Sequence, residues 1–142
     1  MAPGYKQRLN AAAMFGAAGL LVSLIFASVL FGGEGSVSYI ARHVLTASLA
    51  AALSGFVCAP LVMRSRVWGA IGAGILVPVL AQFLYSMLMW AVAGRTSWTQ
   101  EGLWTHIAVL FLTGLMIAGW ANILAGVLVS IWLRRRHLAG AI

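Results

Sequence analysis

The sequence predicts an all-α integral membrane protein: an antiparallel bundle of four transmembrane helices with both termini cytoplasmic. Three observations predict it: a composition 63% hydrophobic and only 8% charged, four long charge-free runs, and a one-sided distribution of cations. A soluble domain carries about a quarter charged residues, and a disordered chain combines low hydrophobicity with many charges, so both classes are excluded. Cys58 is the single cysteine, which excludes a disulfide scaffold. The net charge of +7 comes from nine Lys and Arg against two acids. These cations flank apolar runs and form no phosphate-tracking patch, so nucleic acid is not an expected partner.

The spans run from Asn10 to Phe31, Val44 to Met63, Val67 to Ala93 and Ile107 to Leu133. Each reaches the roughly 20 residues that a helix needs to cross about 30 Å of hydrocarbon. None alternates with a period of two, and an open sheet cannot satisfy its backbone in lipid, so strands are excluded. The first span is longer than the core of a signal peptide and is closed by no A-x-A site, which favours an uncleaved helix. Gly32 to His43 is read as the first connection, opening on the turn formers Gly32, Gly33, Glu34, Gly35 and Ser36. Arg64-Ser65-Arg66 makes the second connection so short that spans two and three must be antiparallel neighbours. In the third, Ser97-Trp98-Thr99-Gln100 fits a capping box that would lead a short surface helix into span four. The whole chain, residues 1–142, reads as one membrane domain.

Orientation follows from the cations. Lys6, Arg8, Arg64, Arg66, Arg134, Arg135 and Arg136 share one side if four helices alternate. The other side holds Arg42 and Arg95, offset by Glu34 and Glu101. The positive-inside rule puts the first group in the cytoplasm, and the expected location is a bacterial cytoplasmic membrane. Trp68 and Trp132 mark the inner interface; Trp90, Trp98 and Trp104 mark the outer one.

Small residues recur every four positions in two spans. Span two carries His43, Ala47, Ala51, Gly55 and Ala59; span four carries His106, Leu110, Gly114, Ala118, Asn122, Gly126 and Ser130. Such rows let helix backbones approach closely, and Ala47, Ala51, Gly55, Ala59, Gly114, Ala118 and Gly126 are the expected helix seams. The other reading is a transport path lined by small side chains. Pro78 interrupts span three and frees the carbonyl of Gly74. Gln82 and Asn122 are the only amides deep in the spans. An unpaired amide in hydrocarbon is costly, so both are expected to face the interior, where they can pair with each other.

No Asp, Glu, Lys or Arg lies inside a span, whereas proton-coupled transporters need an intramembrane ionisable group. Small multidrug resistance transporters have similar dimensions but depend on a glutamate in the first helix, where this chain has no carboxylate. Fluoride channels use a Thr-Thr-Phe-Ser element that has no counterpart here. The glycines of Gly69 to Gly74 follow no strand and precede no Lys-Ser/Thr pair, so they form no phosphate loop. No catalytic residue, cofactor or metal ligand is expected. His43 and His106 open spans two and four and are read as interfacial residues, with axial ligation of a b-type haem as an alternative.

The expected function is therefore that of a non-catalytic accessory, assembly or regulatory subunit of a larger membrane complex. Its expected partners are the bilayer, other membrane subunits or further copies of itself, and anionic headgroups at Arg134, Arg135 and Arg136. The alternative from another class is an oligomeric transporter or channel with Pro78, Gln82 and Asn122 lining the path.

Overall fold

In a computed structural model, the residues described are 4–31, 37–64, 66–92 and 100–140. All the regular elements among them are helices: α1 (Tyr5–Phe31), α2 (Val37–Arg64), α3 (Val67–Val92), α4 (Gln100–Gly114), a π-helical turn (Leu115–Gly119) and α5 (Trp120–Leu138). Four stretches are long and apolar enough to cross a membrane: Tyr5–Val29, Val37–Met63, Val67–Val92 and Trp104–Leu138. The turn formers at 32–36 and the cap at 97–99 lie outside the described residues, as does Trp98.

Two boundaries differ from the sequence reading. Helix α2 begins at Val37, so most of the first connection is helical. Val37 to Arg42 contains no glycine or proline, and a helix need not stop where its apolar run stops. Gln100 begins a helix that continues without a break into span four, so no separate surface helix precedes it among the described residues. Pro60 and Pro78 both sit inside helices. Neighbouring helices make this tolerable in a membrane by re-satisfying the freed backbone groups.

The chain runs up and down, so the start of α1, the end of α2, the start of α3 and the end of α5 share one end of the bundle, here the termini end. Local capping fixes both termini. The Gly4 N–H donates to Gln7 Oε1 at 3.1 Å, and Gln7 Nε2 lies 3.3 Å from His137 Nδ1, joining α1 to α5. The Gly140 N–H returns to the His137 carbonyl with φ of 68°, a left-handed closure suited to glycine.

Helix α1 packs along α2, α2 along α3, and α3 along both α4 and α5. The ring is closed by α1 against α5, whereas α1 has no more than marginal contact with α4. The core occupies the termini half: Ala11, Phe15, Cys58, Ala59, Val62, Met63, Ala73, Val77 and Leu133 form one buried cluster. Within that half, α3 and α5 cross with their backbones nearly touching. A Cβ on Gly74 would stand 2.6 Å from Val127 Cα, and Gly126 faces the Gly74 carbonyl and the Pro78 ring. Glycine is required on both sides of this crossing, since any side chain would push the backbones apart. The carbonyl that Pro78 leaves without its helical N–H partner is thereby covered by Gly126.

Candidate functional site

The other half of the bundle is hollow. A cavity of about 360 Å³ is walled by Phe15 to Ala27 of α1, His43 to Ala51 of α2 and Val77 to Tyr85 of α3. Its last wall runs from Leu110 through the π turn to Gly126. Phe15, Ala51, Val77 and Gly126 form its floor above the packed core; His43, Tyr85 and Leu110 mark its far level. Thr113 and Ile117 line the cavity and are also exposed on the outer surface. The cavity thus reaches the outside of the bundle where α1 and α4 fail to meet.

Most of the lining is alanine, glycine, valine and phenylalanine, and among the described residues no Lys, Arg, Asp or Glu belongs to it. The polar lining is Ser23, His43, Gln82, Tyr85, Thr113 and Asn122. His43 Nδ1 and the Tyr85 hydroxyl form a short hydrogen bond joining α2 to α3. The Tyr39 ring stands edge-on to the imidazole, 4.3 Å between centroids, one turn earlier on α2. His43 Nε2 is enclosed and has no hydrogen-bond partner. Because α2 starts at Val37, His43 lies inside the helix and not at its start, and its ring is turned toward α3 and the cavity. His106 does not line the cavity, so the two histidines are not placed across one haem-sized space.

Gln82 and Asn122 share the cavity wall, but they do not pair. Gln82 Nε2 donates to the Leu110 carbonyl at 3.2 Å, bridging α3 to α4. The physical reason is depth. Counted from Arg66 and Arg134, Gln82 lies about one helical turn further from the termini end than Asn122 does, roughly 6 Å. Asn122 therefore stands level with Pro78. Gly114 is packed directly against the Gln82 amide, which occupies the place a Cβ would take. Ser86 Oγ donates to the Gln82 carbonyl at 2.9 Å within α3.

The small residues named from the sequence divide between two environments. Gly55 lies against the Phe15 ring, 2.7 Å from where a Cβ would be, and Ala59 is in the core cluster. Ala47, Ala51, Gly114 and Ala118 line the cavity, and Gly126 lies where its floor meets the α3–α5 crossing. At the termini end Arg136 stacks over the Trp132 ring at 4.4 Å, and Arg135 is exposed beside it.

Three features escaped the sequence reading. One is the glycine pair of α1: Gly16 accepts a 2.9 Å hydrogen bond from Ser48 Oγ at its carbonyl, and Gly19 packs on Ala51. Another is Tyr85. In a hairpin turning at Arg64–Arg66, His43 and Tyr85 lie at nearly equal distances from the turn, so their meeting was there to be found. The third is the π turn at Leu115–Gly119, in the cavity wall and bounded by Gly114 and Gly119. Such turns occur often at functional sites. Among the described residues, no group of three or more His, Cys, Asp or Glu is placed to hold a metal ion. No known protein-family model matches the chain, and no curated protein or solved structure matches it either.

Proposed function

We propose that the chain is a small, non-catalytic integral membrane protein whose hollow half takes up a membrane-dissolved ligand. In this reading it serves a larger membrane complex as an accessory or regulatory subunit. The observation that carries the proposal is the cavity of about 360 Å³ opening through the side of the bundle between α1 and α4. Ligand pockets are concave, mostly apolar and furnished with a few polar groups, at about 300–1,000 Å³. This cavity matches that description, and its opening faces the region where lipid would lie.

The protein belongs, on this proposal, to a bacterial cytoplasmic membrane, with both termini on the cytoplasmic side. The cation distribution supports that orientation. The run Arg134 to Arg136 then faces anionic headgroups, each cation contributing about 1 kcal/mol near such a surface. Reporter fusions after Ile142 and within residues 94–102 are expected to report opposite compartments; agreement between them would refute the four-span topology.

The ligand reading is tested by native mass spectrometry of the protein extracted in mild detergent. The parent should carry a co-purifying neutral lipophile, and Ala118→Trp, which fills the cavity, should lose it while retaining its melting temperature. A parent that carries none from any extraction overturns the reading. Co-elution of one defined complex with the natively expressed chain tests the subunit role. A second reading, an oligomeric transporter or channel, is favoured by Pro78, Gln82 and Asn122 sharing one cavity wall. Solute flux in proteoliposomes, abolished by Asn122→Leu without loss of protein, would establish it instead.

A further inference from the structure

We propose that the hollow half binds a neutral lipid-soluble molecule whose head carries a carbonyl oxygen that accepts a hydrogen bond from the Tyr85 hydroxyl, with its tail leaving between α1 and α4. This rests on the ligand-binding reading above and adds the chemistry of the head.

Charge comes first. Among the described residues that line the cavity none is Lys, Arg, Asp or Glu, so an ionic head would be desolvated with no counter-charge from them to meet it. Phosphate and ammonium headgroups are therefore disfavoured, and a neutral polar head is preferred.

The hydrogen bonding of the His43–Tyr85 pair then selects the kind of neutral head. A neutral imidazole carries its proton on one ring nitrogen, and the position of that proton is an inference from its surroundings. His43 Nε2 is enclosed and has no partner. Either tautomer leaves Nε2 unpaired, at a cost of about 1–3 kcal/mol, and orphaned N–H donors are rarer in folded proteins than under-used acceptors. The proton is better placed on Nδ1, which then donates to the Tyr85 oxygen. That arrangement leaves the Tyr85 O–H free to donate in turn, on a residue that lines the cavity. The Gln82 amide is held at the Leu110 carbonyl and makes no hydrogen bond with Tyr85. The cavity thus presents a donor at its far level, above an apolar slot walled by Gly19, Ala47, Ala51 and Ala118. A carbonyl is a strong neutral acceptor that needs no acceptor in return.

Size and exit complete the match. At about 360 Å³ the cavity is at the lower end of ligand pockets, enough for a ring-sized head and the first part of a tail. The rest of the tail leaves past Thr113 and Ile117, which belong both to the cavity wall and to the outer surface.

The test uses the full chain in nanodiscs with two photoactivatable probes. One is para-dodecylbenzophenone, a neutral ketone; the other is a dodecylphenyl diazirine that lacks a carbonyl. Both are expected to crosslink to cavity residues, located by peptide mass spectrometry. Tyr85→Phe should lower ketone labelling about three- to tenfold, the value of one neutral hydrogen bond, and leave diazirine labelling unchanged. Competition on the unmodified protein makes the test independent of any variant's folding. Dodecyl phenyl ketone should displace the diazirine at about three- to tenfold lower concentration than dodecylbenzene does. Equal potency of the two competitors overturns the carbonyl assignment while the cavity reading stands. Failure of both probes to label the cavity overturns the two together.

Discussion

The two halves of the bundle are built from the same residue types and do opposite things with them. In the termini half, Ala11, Ala59, Val62 and Leu133 have no exposed surface, and Gly74 meets Gly126 backbone to backbone. In the other half, Ala118 is just as small, yet it borders open space, while Gly19 and Ala51 touch each other and still line the cavity. Hydrocarbon supplies no hydrophobic drive between helices, so each half needs its own means of holding together. The packed half uses van der Waals contact, with the Gln7–His137 bond joining α1 to α5 at its end. The hollow half uses hydrogen bonds across helices: His43 to Tyr85, Gln82 to Leu110, Ser48 to Gly16. A row of small residues therefore does not announce a seam. It announces that backbones or guests come near, and its neighbours decide which.

The largest expected effect comes from inserting one alanine after Trp120. With α5 kept α-helical, the added residue should rotate the rest of α5 by about 100° against α4. That would break the Gly74–Gly126 crossing and the cavity wall together. Loss of folded protein, read as absence of a cooperative melt in detergent, is expected; an unchanged melt would show that the crossing does not fix the register of α5.

A paired substitution separates the halves. Gly126→Leu places a side chain where the Gly74 carbonyl and Pro78 already stand, and should cost about 3 kcal/mol or more. Ala118→Leu, in the cavity wall, should remain within about 1 kcal/mol of the parent because space is already there. If both variants melt alike, the contrast between the halves fails.

Gln82→Leu removes one hydrogen bond between helices, worth about 0.6 kcal/mol on average in membrane proteins. Its melt should fall only slightly. A larger loss would mean that the hollow half depends on this one bridge. The smallest effect is expected for Ser130→Ala. Ser130 Oγ is buried without a partner, so its removal should be neutral or raise stability by about 0.5 kcal/mol.

Much of the architecture was legible because long apolar runs and short turns leave a membrane chain few ways to fold. The four spans, their antiparallel order and the interior position of Gln82 and Asn122 all follow from that. What was not legible depended on register. Gln82 and Asn122 both count to the middle of a bilayer, but a pairing needs agreement within one turn, and they differ by one. An apolar run that begins only after His43 places that residue in a connection, although nothing in Val37 to Arg42 prevents a helix. The cavity was hidden for a simpler reason: composition records the side chains that line a space and not the space itself.

The π turn has a geometric consequence for the row of small residues in span four. An α-helix advances about 100° per residue, so each step of four overshoots a full circle by about 40°. Leu112, Met116, Trp120, Leu124 and Leu128 are all exposed, at 58%, 83%, 64%, 58% and 69%. In an uninterrupted α-helix the last of them would have turned about 160° from the first, onto the buried side. One additional residue in the turn at Leu115–Gly119 takes back about 100° of this drift. The turn thus acts as a phase corrector, and a strict four-residue repeat can keep one face to the cavity and one to the outside along the whole span. A row of fours sustained over five or six steps in an apolar span is, by this reckoning, a mark in the sequence of a helix that must contain such a correction.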